Sequence, residues 1–160
     1  MDPTGKVALI TGGAARVGRA IALQLAHDGA HVAVHYNRSD QAARETAARA
    51  RDMGVEAQAM QADLTDPRAT RALVDELGAR FGGVDMIVHA ASPFIRASLT
   101  ETTLAEWRQV MGVLVESFLL LAQGLTPHMI EKDEGCMIAI LVRGVYDPWP
   151  QYLAHGVGKS

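Results

Sequence analysis

Short apolar runs at residues 6–10, 31–36, 55–60, 84–89 and 136–142 alternate with longer stretches in which apolar positions recur every three or four residues. The short runs have strand length and the longer ones helical periodicity, so the pattern predicts strands joined by helices over 15–28, 39–53, 67–80 and 103–122. Asp66-Pro67 combines a side-chain acceptor with a fixed φ, which starts a helix, and Gly29, Gly54 and Gly82 stand where helices stop. Strands separated by helices pair in parallel through right-handed crossovers. The expected fold is α/β, a doubly wound parallel sheet of five strands in a three-layer α/β/α arrangement, with residues 1–160 as a single domain. Residues 143–151 read as a loop and 152–160 as two turns of a further helix. That helix stops with the chain, so the domain is expected to be incomplete at its C-terminus, leaving apolar surface beside the fifth strand.

Composition narrows the class. The chain of 160 residues is 49% hydrophobic and 21% charged with a formal net charge of −3, which gives no electrostatic reason to expect a nucleic acid or an anionic membrane as partner. The apolar stretch 113–122 is interrupted by Glu116 and Ser117, and no targeting segment is evident, so the expected location is cytoplasmic. The single cysteine, Cys136, rules out an intrachain disulfide framework, and the six histidines show no metal-ligand spacing.

The segment Lys6 to Gly18, KVALITGGAARVG, runs from a strand through a glycine turn into a helix. Gly12, Gly13 and Gly18 permit a tight turn and close backbone approach, and the free N–H groups and positive dipole of the helix N-terminus suit a pyrophosphate. An acidic residue at the end of the second strand would bind both ribose hydroxyls of NAD. None stands there. Instead Asn37, Arg38 and Ser39 supply a guanidinium fork and a hydroxyl where a 2′-phosphate would sit, with Arg16 as a second positive charge, so NADP(H) is the expected cofactor.

These landmarks resemble the short-chain dehydrogenase/reductase family, whose Rossmann-like fold carries a TGxxxGxG turn: Thr11, Gly12 and Gly18 match, and Arg16 departs. Asp63-Leu64 is similar to the family's adenine-contacting pair, His89-Ala90-Ala91-Ser92 occupies the place of its NNAG motif, and His155 with Lys159 the place of YxxxK. Within the family, pteridine reductases are the nearest likeness: they share Arg16, the segment His35-Tyr36-Asn37-Arg38-Ser39, and Ala91, Ser92 and Phe94. The resemblance implies cofactor contacts from Thr11, Gly12, Arg16, Val17, Gly18, Asn37, Arg38, Ser39, Asp63, Leu64, Ala91, Ser92 and Lys159. It implies substrate contacts from Ser92 and Phe94, with Phe94 stacking on a flat heteroaromatic ring. It also implies a homodimer or homotetramer paired through the apolar helix of Trp107–Ala122 and the helix near Tyr152.

The resemblance further implies that a nicotinamide delivers hydride while a Tyr, a Lys, a Ser and an Asn serve the proton. Here Lys159 is retained, His155 takes the Tyr place, Val142 the Ser or Asp place, and Leu114 the Asn place. Valine and leucine neither donate nor accept. A histidine beside a lysine cation is mostly neutral at pH 7 and a poor acid, which suits a protonated C=N better than a ketone. Two readings follow: an oxidoreductase passing hydride from NADPH to a small planar, pterin-like C=N or carbonyl substrate with His155 and Lys159 as catalytic residues, or a catalytically silent NADP(H)-binding sensor or scaffold. Asp147 reads as a turn former before Pro148 in preference to a carboxylate orienting His155.

Overall fold

The computed structural model describes residues 1–160, the side chain of Val145 excepted. Five strands, β1 (Val7–Thr11), β2 (His31–Tyr36), β3 (Ala57–Gln61), β4 (Met86–His89) and β5 (Cys136–Ala139), form one parallel sheet in the order β3-β2-β1-β4-β5. Helices α1 (Arg16–His27), α2 (Asp40–Arg51), α3 (Pro67–Phe81), α4 (Leu104–Met111), α5 (Ser117–Glu131) and α6 (Leu153–Gly158) surround it. The doubly wound α/β arrangement is the one the apolar rhythm predicts.

Strand periodicity explains the layers. Ala8 and Ile10 of β1 pack with Val32 and Val34 under the alanines of α1 and α2, Ala22, Ala26, Ala43 and Ala47. Val7, Leu9 and Ala33 turn the other way, onto Leu73 and Leu77 of α3 and Leu121, Leu125 and Met129 of α5. Central parallel strands are thus buried on both faces, as continuous apolar runs require. Asp66 caps α3 by accepting from Arg68 N–H at 2.8 Å with Pro67 in the first turn, and Gly82 ends that helix at φ 75°. At the open edge, Met137 and Ile138 of β5 are exposed.

The fourth predicted helix differs. It begins at Leu104 behind a Thr103/Glu106 capping box, passes through a π turn at Gly112–Glu116, and continues to Glu131 rather than stopping near 122. Gly124 lies where a Cβ would meet Val74 at 2.7 Å, so it allows α5 to pack closely on α3. The buried row Leu121, Leu125 and Met129 offsets the hydrogen bond that Pro127 forfeits. By length and hydropathy alone the continuous stretch Leu104–Glu131 suffices to cross a membrane. In the fold, Leu121 and Leu125 of this stretch form part of the core, while Leu104 and Leu119 are exposed.

Candidate active site

Because all five strands run the same way, their carboxyl ends and following loops meet along one edge. The turn after β1 is built by close approach. A Cβ on Gly12 would lie 2.9 Å from Ala91 Cα, and one on Gly18 would lie 2.3 Å from Gly12 O, so both positions admit only glycine without backbone movement. Gly12 takes φ 66°, and Arg16, at the first turn of α1, takes φ 49°. No side chain caps α1 and no acid sits in its first turn, which leaves its N-terminal N–H groups and dipole available to an anion.

Two buried histidines hold this turn. Gly12 N–H donates to His35 Nδ1 at 3.2 Å, and His35 Nε2 lies 3.1 Å from Ala62 O, so Nε2 carries the hydrogen. Burial pushes the His35 pKa down to about 4 against the opposing Ala62 carbonyl and Asp63 carboxylate. On the other side, His89 Nε2 donates to Val113 O at 2.9 Å across to the π turn. Burial likewise lowers the His89 pKa to about 4. Both imidazoles are neutral near pH 7, and neither role was foreseen; their burial on central parallel strands was the available signal.

The end of β2 is prepared for negative charge. Asp40, the nearest acid in sequence to Arg38, is drawn away by Arg44 Nε at 2.8 Å and by the Tyr36 hydroxyl. Among the described residues Arg38 has no ion pair. Asp63 accepts from Thr65 N–H at 3.0 Å and Thr65 Oγ1 at 2.7 Å, and these bonds hold its carboxyl below the usual range.

Gly12, Asn37, Arg38, Ser39, Asp63, Leu64, Ala91 and Ser92, all expected from sequence, line one cleft of about 750 Å³. Four expected contacts from the glycine turn lie outside this lining. Thr11 is buried, its hydroxyl taken by His89 Nδ1 at 3.0 Å and Ala91 N–H at 3.0 Å, so it supports the turn from behind. Arg16 and Val17 are exposed on the first turn of α1 outside the cleft lining, and Gly18 lets α1 close against Gly12 and Gly13 of the turn. Conversely, Thr65 and, from α4 and the π turn, Arg108, Gln109 and Val113 line the cleft without local sequence signal, because only the tertiary crossing of that helix brings them there.

At the far end, His155 Nδ1 lies 3.1 Å from Pro93 O and the residue is 3% exposed. Lys159 is buried, donates from Nζ to Ile140 O at 2.5 Å, and has its pKa lowered by desolvation. Leu114 is buried in the π turn against Gly158 of α6, and Val142 is half-buried. Phe94, 55% exposed, stacks on Tyr152 at 4.3 Å and meets His155 edge-on at 4.8 Å, so one of its faces is already occupied by protein. Asp147 pairs with Arg143 at 3.6 Å rather than orienting His155.

The chain matches the short chain dehydrogenase family over residues 6–160. It is 35% identical over 145 residues to hydroxynaphthalene reductase of Aspergillus fumigatus, covering 91% of this chain and 53% of that protein. To the 3-oxoacyl-[acyl-carrier-protein] reductase of Staphylococcus aureus it is 32% identical over 133 residues, covering 83% and 54%. The chain thus spans about half the length of the curated relatives it matches. Among solved structures, acetoin dehydrogenase from Salmonella typhimurium superposes with a TM-score of 0.91 at 32% identity, over 98% of this chain and 62% of that one. A short chain dehydrogenase from Burkholderia cenocepacia in complex with NADP gives 0.89 at 31% identity, over 99% and 64%. Matched along nearly its whole length and folded on the same plan, the chain belongs to the short chain dehydrogenase family.

Proposed function

We propose that this chain is the cofactor-binding part of an NADP(H)-dependent oxidoreductase. The observation that carries this reading is Arg38 at the end of β2, without an ion pair among the described residues and with Asp40 held off by Arg44, beside a glycine turn too tight for any Cβ. The residues present fit a dinucleotide: Gly12 and the α1 N-terminus face the pyrophosphate, Asn37, Arg38 and Ser39 the 2′-phosphate, and Asp63 and Leu64 the adenine end. The structural neighbour bound to NADP supports the same assignment. When bound, the nicotinamide supplies hydride exchange. The chain's own residues bind and orient: Ser92 and Ala91 border the nicotinamide half, and Lys159 Nζ is the donor nearest in kind to a ribose-holding group.

The substrate in this reading is a small planar C=N or carbonyl compound, or its reduced form, held beside Ser92 and Phe94. The HYNRS segment and Phe94 support a likeness to pteridine reductases. His155 and Lys159 are the catalytic pair, and a homodimer or homotetramer in the cytoplasm completes the proposal, supported by exposed Val115 and Leu119 on the long apolar helix. The test is calorimetric binding of NADPH and NADH to the full chain, followed by cofactor oxidation with pterins, imines and diketones. NADPH preferred over NADH, with turnover of one class, is expected. Tight NADPH binding without turnover, with activity restored by His155→Tyr, returns the silent sensor instead.

A further inference from the structure

The His155 ring makes one hydrogen bond among the described residues, between Nδ1 and the Pro93 carbonyl oxygen at 3.1 Å. A carbonyl oxygen only accepts, so the hydrogen sits on Nδ1. Burial lowers the ring's pKa; the Pro93 carbonyl opposes this and the Lys159 ammonium reinforces it. The ring is therefore neutral near pH 7, with a bare lone pair on Nε2. That atom has no partner among the described residues, and it is not one of the fully buried orphans. Orientation is fixed from two sides, by Pro93 behind and by Phe94, which meets the imidazole at an interplanar angle of 84° while its own face is held by Tyr152.

We propose that His155 is a fixed hydrogen-bond acceptor that makes the site select ligands whose reacting heteroatom carries a hydrogen, an alcohol or a neutral amine, over carbonyls. This rests on reading the region as the substrate end of an oxidoreductase. A carbonyl oxygen set against Nε2 faces lone pair to lone pair and leaves both unmet, whereas a hydroxyl donates to it directly. A protonated C=N also donates, but the Lys159 ammonium repels its charge. Val142 and Leu114 offer no donor to rescue a carbonyl. The reduced member of a substrate pair is thus the one the site holds.

The test labels the histidines of the full chain with 15N and assigns the His155 signals by their loss in His155→Gln. At pH 7 the expected result is a protonated Nδ1 and an unprotonated Nε2. Cyclohexanol should perturb Nε2 and bind about tenfold more tightly than cyclohexanone, the worth of roughly one satisfied hydrogen bond. His155→Tyr, whose hydroxyl both donates and accepts, should remove the preference. A hydrogen on Nε2, a charged ring at pH 7, or equal or tighter binding of cyclohexanone overturns the inference, and the comparison of the two ligands needs no variant. If the tautomer is as expected but NADPH does not bind, the cofactor assignment falls and this inference stands.

Discussion

Thr11 Oγ1 donates to His89 Nδ1 at 3.0 Å and so ties the end of β1 to the end of β4. The direction is fixed by the other bonds. His89 spends its only hydrogen on Val113 O, leaving Nδ1 as acceptor, and Thr11 Oγ1 in turn accepts from Ala91 N–H. One chain of three hydrogen bonds therefore runs from the loop after β4, through the glycine turn, to the π turn in the long helix. Thr11→Val keeps the shape and removes the link, leaving Ala91 N–H and His89 Nδ1 unpaired. A loss of about 1–3 kcal/mol in urea denaturation is expected, together with weaker NADPH binding as the turn loosens.

The neutral histidines make stability depend on acid. His35 and His89 each have folded pKa values of about 4, against an unfolded value near 6.5. Above about pH 6.5 both states are neutral and the pair contributes no pH dependence. As pH falls from there towards 4 the unfolded chain binds protons first, so stability drops, by on the order of 2–3 kcal/mol per histidine. Asp63 beside His35 softens the drop, while Lys159 beside His89 deepens it. Thermal melts between pH 7 and 4.5 check this; His35→Gln should flatten the profile.

Arg38→Ala should weaken NADPH binding by about 10- to 100-fold, the worth of a charge-assisted bond to a phosphate, while leaving NADH binding nearly unchanged. Arg44→Ala offers the complementary check. Freed from Arg44 at 2.8 Å, Asp40 becomes available to Arg38, and NADPH affinity should fall although Arg44 itself lies outside the main cleft. Equal losses for both cofactors in either variant would place Arg38 outside the 2′-phosphate site.

Gly18→Ala places a Cβ 2.3 Å from Gly12 O, a contact only backbone displacement relieves. Cofactor binding should be abolished, with α1 lifted from the turn.

Asp85 provides a control at the opposite end of the sheet. Its buried carboxylate accepts from Val7 N–H at 2.8 Å and from Lys132 Nζ at 2.9 Å, joining β1, β4 and the end of α5. Asp85→Ala should cost about 2–4 kcal/mol in stability by leaving a buried N–H and a cation unpaired. Any chain still folded should keep its preference for NADPH, because no cleft residue touches this cluster.

Legibility followed sequence distance. The apolar rhythm, the Asp66-Pro67 start and the Gly82 stop act among neighbours within a few residues, and each was readable. So was the front of the cleft, because the glycine turn and Asn37-Arg38-Ser39 are contiguous stretches whose chemistry is local. The far end of the fourth helix was not legible in the same way, because the Val74 side chain that Gly124 packs against lies on α3. Its signal was present in the spacing of Leu121, Leu125 and Met129, which outweighs one proline.

The sequence by itself determined the parallel α/β plan, the glycine turn, the absence of an acid at the ribose position and the substituted residues at Leu114, Val142 and His155. Only the tertiary structure decided what those residues do. Thr11 turned out to bond within the protein, Arg38 to be freed by Arg44, Arg108 to join the cleft from α4, and His155 to spend its hydrogen on Pro93, 62 positions away. Identity fixes which groups carry hydrogens and lone pairs. Which of them face a ligand depends on which are already satisfied, and that is settled by partners brought together from distant parts of the chain.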